Sequence, residues 1–321
     1  TRAHAATLAA ALASPRVALR PNAVVSRILT DPHSGEATGV TYVDRVTRRA
    51  ADVRARVVMV CASAIESARL LLNSRSARHP DGLGNASGSV GRFLMDHLFL
   101  DLQVRCALPE HLAATPGDER GDLYVAAAGP GAGRFGIELA VRAPAATPRH
   151  RLRAALGDLL RDQRPLARRW RPRRTCALDL AAIGEVTPHV ENRVAVRDDV
   201  RDAWGIPVAH IAYRRGAEEL AAARAMEAAA LATVATGFEI IRARSALYPP
   251  GLSVHEMGTV RMGDDPRRSA LNRHNQAWDC RTLFVTDAAC FPTGGFQNPS
   301  LTIMALSLRA SRWLARESNL F

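Results

Sequence analysis

Two short apolar segments, Val53 to Val60 and Thr282 to Val285, constrain the fold of this chain more than any other feature. The first begins with alternation and ends as a fully apolar run, the pattern of a strand entering a sheet covered on both faces. The small residues Cys61-Ala62-Ser63 follow, then a helix over Ala64 to Leu72 with Ile65, Leu70 and Leu71 available for burial. Strand, small-residue turn and helix make half of a βαβ unit. The second segment is again a buried strand, and it runs out through Thr286-Asp287-Ala288. Asn298-Pro299-Ser300 then starts a helix over Pro299 to Leu314, with Asn298 as N-cap and Pro299 at the first helical position. Its expected core face carries Leu301, Met304, Ala305, Leu308 and Trp313.

The chain between these segments has a different texture. Residues 17–20 and 24–29 read as short strands, and after the turn at Asp31-Pro32 a third runs through Val40 to Val43. A Gly/Asn/Ser-rich loop from Asp81 leads to Phe93-Leu94-Met95-Asp96-His97. Beyond it, strand-like pieces at 98–104, 123–127, 135–141, 177–183, 193–196 and 208–213 alternate with turns. A long Ala-rich helix, about 217–242, carries Leu220, Ala223, Glu227, Leu231, Val234 and Phe238 along one stripe. The pattern predicts a mostly antiparallel sheet backed by helices, inserted between two parts of an α/β domain. The expected organisation is 1–97 for the first part of that domain, 98–250 for the insert and 251–321 for its return.

Composition narrows the function classes. A chain of 321 residues with an apolar share of 47% has ample core, and no run approaches the roughly 20 apolar residues of a membrane span. The net charge of +12 points toward nucleic acid only at first sight, because all 43 basic residues are Arg, a usage better explained by codon bias. The charge is also local: from Arg149 to Arg174 ten Arg stand against Asp158 and Asp162, with Trp170 the one aromatic. A solvated arm or lid is the simpler reading, and nucleic-acid binding is not expected. Cys61, Cys106, Cys176, Cys280 and Cys290 form no CxxC or Cys/His ligand spacing, so no metal site is expected, and the odd, scattered set suggests reduced thiols in the cytoplasm. Thr1 to Leu12 lacks the charged start and apolar core of a signal peptide.

The C-terminal third carries the chemistry. His255 opens His255-Glu256-Met257-Gly258-Thr259-Val260-Arg261-Met262-Gly263, a Gly-containing loop in an otherwise apolar setting. Histidine is suited to take a proton from an alcohol near neutrality. Asn298 can hydrogen-bond the same oxygen without titrating. A helix start at Pro299-Ser300 presents unpaired N–H groups and roughly half a positive charge to an adjacent anion. Asp287, at the carboxyl end of a strand, lies where open α/β sheets bind ligands. Singly, each of these residues has a structural explanation; their order along one segment favours an enzyme.

That segment resembles the C-terminal region of the glucose-methanol-choline (GMC) family of FAD-dependent alcohol oxidoreductases. The family carries a His-x-x-Gly-Thr-x-Arg-Met-Gly stretch, an apolar strand ending in Asp and an Asn-Pro-x-Leu-Thr helix start, here 255–263, 283–288 and 298–302. Val57 to Leu72 and the loop from Gly82 to His97 resemble the family as well. The resemblance implies an α/β fold with an α+β substrate domain, in which a partial Rossmann-like FAD domain lacks its N-terminal βαβ unit. It implies FAD as cofactor and a small-molecule alcohol, a sugar or polyol among them, as substrate. His255 then takes the hydroxyl proton with Asn298 as its partner, and hydride passes to flavin N5. The start of the helix at Asn298, Pro299 and Ser300 faces the flavin ring, Asp287 and Ala288 contact the ribityl-pyrophosphate region, and the backbone near Val25 meets the adenine end. Two departures stand out. Ser63 occupies a position where the family usually has Gly, and no Gly-x-Gly-x-x-Gly phosphate loop is present. The expectation is therefore a C-terminal half that works with an N-terminal-half polypeptide; the alternative is a cofactor-free scaffold subunit of an oxidoreductase complex.

Overall fold

The computed structural model describes residues 3–107, 122–129, 133–142 and 175–317. The Arg-rich stretch 149–174 lies outside them. Chain order is α1 (Ala3–Leu12), β1 (Ala23–Thr30), β2 (Ala37–Asp44), β3 (Ala50–Arg54), β4 (Val58–Val60), α2 (Ala64–Asn73), β5 (Leu98–Ala107), β6 (Asp122–Gly129), β7 (Gly133–Arg142), β8 (Thr175–Gly184), β9 (Arg193–Arg201), β10 (Pro207–Ala212), α3 (Ala217–Ala235), β11 (Ile240–Leu247), β12 (Leu283–Val285) and α4 (Ser300–Arg316).

The two apolar segments do meet. β12 pairs parallel with β4, Leu283 against Val58 and Val285 against Val60, and all three residues of β12 are buried. The α2 helix, which follows β4, buries Ala64, Ser67, Ala68 and Leu71, the spacing of a single helical face. These elements share one core with Ile28, Leu83, Met95, Met257, Val260 and the 3-10 turn Ala288–Cys290. The expected single strand from Val53 to Val60 is in fact two. Residues 50–54 form β3, one of the two outer strands of the antiparallel order β1-β2-β3, and β4 belongs to the parallel pair. Residues 17–20 are not a strand, and β1 starts at Ala23.

A second core fills a five-stranded antiparallel sheet of order β11-β5-β8-β7-β6, with α3 packed on one face. Gly184 allows the approach of that helix, since a Cβ there would lie 2.4 Å from the Met226 sulfur. The Ala-rich helix stops at Ala235, short of the expected 242, and Ile240–Leu247 forms an edge strand against β5. The buried stripe of α3 is Glu219, Ala223, Met226, Ala230 and Val234, so Leu220, Glu227 and Leu231 stand beside the seam rather than in it. The β9–β10 hairpin packs with the first core, where Val194 is buried and Ala209 sits against it.

The α4 helix also departs from expectation. Ile303, Leu306 and Ala310 face the core, whereas Leu301, Met304 and Leu308 are exposed. Trp313 stacks on His274 at 4.8 Å between ring centroids. Among the described residues no helix is long and apolar enough to cross a membrane.

Candidate active site

The His255 loop is fastened on two sides before any side chain is considered. Met257 exchanges both backbone hydrogen bonds with Met95 at 2.9 Å. Gly258, Val260 and Met262 donate in turn to the carbonyls of Ala288, Ala289 and Cys290 at 3.0, 2.9 and 2.9 Å. The loop therefore forms a ladder with the segment that leaves β12, which is why the two motifs occupy one place despite their separation in sequence. Gly258 is required here: its φ is 81°, and a Cβ would fall 2.2 Å from the Phe93 carbonyl oxygen. Thr259, with φ of 76°, donates its buried hydroxyl to the Ala64 carbonyl at 2.6 Å, tying the loop to the start of α2.

His255 is half-buried, and its Nδ1 lies 3.0 Å from Nδ1 of His97, with the rings edge to face. His97 itself is fully buried. Burial, and then the neighbouring His255, hold its pKa down at about 4, so near neutrality it is an uncharged imidazole. Asp96 beside it is also buried and accepts from the Gly251 N–H at 2.9 Å and from the Ser253 hydroxyl. Its backbone carbonyl receives the Tyr213 hydroxyl at 3.3 Å. Sequence reasoning singled out the Met95-Asp96-His97 stretch but gave His97 no role. A histidine closing a Gly-rich loop was the available signal, yet nothing local indicates that it meets His255.

Asp287 follows β12 as expected, but its carboxylate is engaged within the protein. Oδ1 accepts from the Ala289 N–H at 2.8 Å, and Oδ2 accepts from the Ser63 N–H at 3.0 Å and from the Ser67 hydroxyl. Burial raises its pKa while those hydrogen bonds pull it down. The residue thus stitches the end of β12 to the turn between β4 and α2. Ala288 is buried, and its carbonyl holds Gly258. The turn it braces is exposed at Ala62 and Ser63, and Ser63 adopts φ 87°, ψ 164°, a region essentially reserved for glycine.

The start of α4 lies one residue later than expected: the helix begins at Ser300, with Pro299 at the cap in a helical conformation. No side chain caps the end, Ser300 and Leu301 are exposed, and Asn298 is exposed without a hydrogen bond among the described residues. The structure does not join Asn298 to His255 by a hydrogen bond. It does bring the preceding segment close, because a Cβ at Gly294 would sit 3.0 Å from the Met257 methyl and 4.0 Å from His97 Nε2. Val25 is exposed on β1, an edge strand with a bulge between Val25 and Arg27, so backbone groups on its outer side face away from the sheet. A surface groove of about 440 Å³ lined by Arg273, His274, Arg309, Arg312 and Trp313 shares no lining residue with the His255 site. An uncapped helix end, an exposed turn in a glycine-type conformation and an edge-strand backbone fit a long anionic cofactor laid across the first core.

Comparison with known proteins gives the same direction. Two family models, both described as GMC oxidoreductase, match residues 2–99 and 188–307, one for the N-terminal and one for the C-terminal region of that family. The expectation of a C-terminal half alone is thereby corrected, because both regions are represented. The chain is 34% identical to 2-methyl-1,2-propanediol dehydrogenase of Mycolicibacterium austroafricanum, over 93% of this chain and 54% of that protein. It is 32% identical to 6'''-hydroxyparomomycin C oxidase of Streptomyces lividus, over 96% and 53%. It therefore spans about half the length of these curated relatives. A formate oxidase structure from Aspergillus oryzae superposes with a TM-score of 0.63 over 96% of this chain and 62% of that one, at 14% identity, a likeness of fold.

Proposed function

This chain belongs to the GMC oxidoreductase family, whose cofactor is FAD, and from that premise we propose that it carries the proton-accepting side of a flavin site that oxidises a CH–OH group of a small alcohol, sugar or polyol. The observation that supports this reading most directly is the ladder from Gly258, Val260 and Met262 to residues 288–290, which fixes His255 beside the end of β12. Bound there, FAD supplies the hydride acceptor. The residues of the chain do the rest. His255 takes the hydroxyl proton at Nε2, since Nδ1 is turned to His97. Asn298 offers its amide to the same oxygen. Pro299 and Ser300 present the open helix end to negative charge developing on the cofactor, a fixed electrostatic contribution. Asp287 acts by holding Ser63 and Ala289, so the Ser63 turn and Ala288 line the ribityl-pyrophosphate path, and Val25 offers backbone to the adenine end.

The expected domain boundaries near 97 and 250 place the antiparallel sheet on the substrate side, so pocket shape and specificity come from that sheet. The test is anaerobic flavin reduction in the full-length protein. His255→Ala lowers the reduction rate by about 10²- to 10⁴-fold, the range for loss of a general base; a rate equal to wild type removes the assignment. One of the two relatives above is named a dehydrogenase and the other an oxidase, so the electron acceptor is a separate measurement.

A further inference from the structure

Three consecutive residues, Met95, Asp96 and His97, hold three parts of the loop that bears His255. Met95 pairs through its backbone with Met257, two residues after the histidine. Asp96 receives Gly251 and Ser253, four and two residues before it. His97 meets the imidazole itself at 3.0 Å. The tripeptide is in turn fixed from behind: Leu94 N–H donates to the Asn192 carbonyl at 2.9 Å, and Arg215 Nη2 donates to the His97 carbonyl at 3.3 Å. Such a clamp determines where the ring of His255 sits. The contact between the rings determines more, namely which of its nitrogens carries the proton.

We infer that His97 is a positioning residue that fixes the tautomer of His255, accepting a hydrogen bond at its own Nδ1 from Nδ1–H of His255 and so leaving Nε2 of His255 unprotonated and ready to act as base. The inference rests on the reading of His255 as the proton acceptor. Two facing Nδ1 atoms of uncharged imidazoles make a hydrogen bond only when one carries a proton and the other does not, which leaves two arrangements. The surroundings of His97 choose between them. Its Nε2 is buried and makes no hydrogen bond of its own among the described residues, but it lies beside Gly294, where a Cβ would sit 4.0 Å away, and the backbone of Gly294 and Gly295 favours a proton on that nitrogen. Neutral His97 then has no proton left for Nδ1, which becomes the acceptor. Burial keeps it neutral, with a pKa of about 4, so it does not compete for the proton that His255 takes up. The charged groups around the pair are Asp96 and Arg215 on the His97 side, Glu185, which receives the Gly295 N–H at 3.3 Å, and Glu256 on the loop itself; none is hydrogen-bonded to either ring among the described residues. The strained backbone at Val254, a β-branched residue at φ 54°, sits directly before His255, consistent with a ring held where the partner requires it.

Imidazole nitrogen shifts in the ¹⁵N-histidine-labelled protein read the tautomers without any turnover. The expected result at pH 7 is His255 protonated at Nδ1 and His97 at Nε2. The reverse pattern, with His97 donating and His255 protonated at Nε2, overturns the proposal. Variants extend the test in the full-length, flavin-loaded protein. His97→Leu removes the acceptor, lowers flavin reduction about 10- to 100-fold, as loss of an orienting partner commonly does, and moves the acid limb of the kcat/KM profile to lower pH. His97→Asn, which keeps an acceptor near the Nδ1 position, restores the rate to within a few-fold and returns the limb toward wild type. If His97→Leu folds poorly, the wild-type tautomers and the Asn variant still decide the question. A His97→Leu enzyme with unchanged rate, limb and His255 nitrogen shifts overturns it too. Failure of His255→Ala to slow flavin reduction would instead remove the base reading, and leaves the tautomer measurement to be judged alone.

Discussion

Replacing Ser63 by glycine removes a Cβ from a backbone held at φ 87°, ψ 164°. For any residue with a side chain this region costs about 1–3 kcal/mol, because Cβ crowds the flanking peptide groups. Little on the other side of the balance depends on the serine. Its hydroxyl makes no cap hydrogen bond to α2, and the side chain is exposed, so its loss takes away neither a bond nor buried area. The one hydrogen bond at this position that matters, from the Ser63 N–H to Asp287 Oδ2 at 3.0 Å, belongs to the backbone and survives in glycine. The opposing cost is the greater freedom of glycine in the unfolded chain, about 0.5–1 kcal/mol. The net expectation is a gain of about 0.5–2 kcal/mol, equivalent to a rise in Tm of roughly 1–4 °C for a chain of this size. Urea unfolding followed by circular dichroism reads it as a higher midpoint with an unchanged slope. Ser63→Ala is the control: it keeps the Cβ and stays near wild type. A destabilised glycine variant, or an alanine variant that gains as much as glycine, refutes the assignment of strain to this turn.

Gly258→Ala drives a methyl group against the Phe93 carbonyl and forces a positive φ, so it destabilises by about 3 kcal/mol or more and loosens the His255 loop, seen as a lowered urea midpoint and faster amide exchange at residues 255–262. Asp96→Ala leaves the Gly251 N–H and Ser253 hydroxyl without their acceptor and costs about 2–3 kcal/mol; amide exchange at 251–255 rises while the β5–β8 ladder keeps its protection. Because the folded pKa of His97 lies near 4, below its ordinary 6.5, the unfolded chain binds this proton first as pH falls, so stability is lost from about pH 6.5 down to about 4 and no further from this group. The loss is of order 3 kcal/mol over that window, and His97→Asn flattens the pH–stability curve there.

The parts of the fold that were legible in the sequence are those whose pattern is enforced locally. β4, α2 and β12 could be placed because burial on both faces or along one stripe leaves a periodic trace in the residues themselves. β11 left none. It begins soon after a long Ala-rich helix, only Gly237 punctuates the join, and as an edge strand it exposes Arg242 and Arg244 where a central strand would bury apolar groups. The break between β3 and β4 was hidden for a related reason: Ala55-Arg56-Val57 contains no glycine or proline, and only the capture of the preceding strand by β2 reveals it. In α4 the apolar residues suggested one core face, but packing against the first core selected Ile303, Leu306 and Ala310 instead of Leu301, Met304 and Leu308.

The site shows the same division between local and long-range cause. His255, Asp287 and the Asn298 helix start could be picked out by residue type, whereas what each one touches could not. The contact between His255 and His97 closes across 158 residues, and the Asp287 carboxylate meets Ser67 across 220. No periodicity records such a pairing. The backbone does record it. Of the seven non-glycine residues with positive φ among the described residues, Asn22 and Asn275 are a type that tolerates the region, and Arg48 sits in a turn between strands. The other four are Ser63, Phe93, Val254 and Thr259, and all four lie in the turn or the loops that meet around His255. Strain of this kind persists only where surrounding contacts overdetermine the conformation. Those contacts are present: Thr259 is held by Gly91 and Ala64, Phe93 is covered by the Arg261 guanidinium at 3.6 Å, and Ser63 is held by Asp287. Strain concentrated where three chain segments converge marks their junction as the place where long-range contacts override local preference, and such contacts leave no trace in residue type alone.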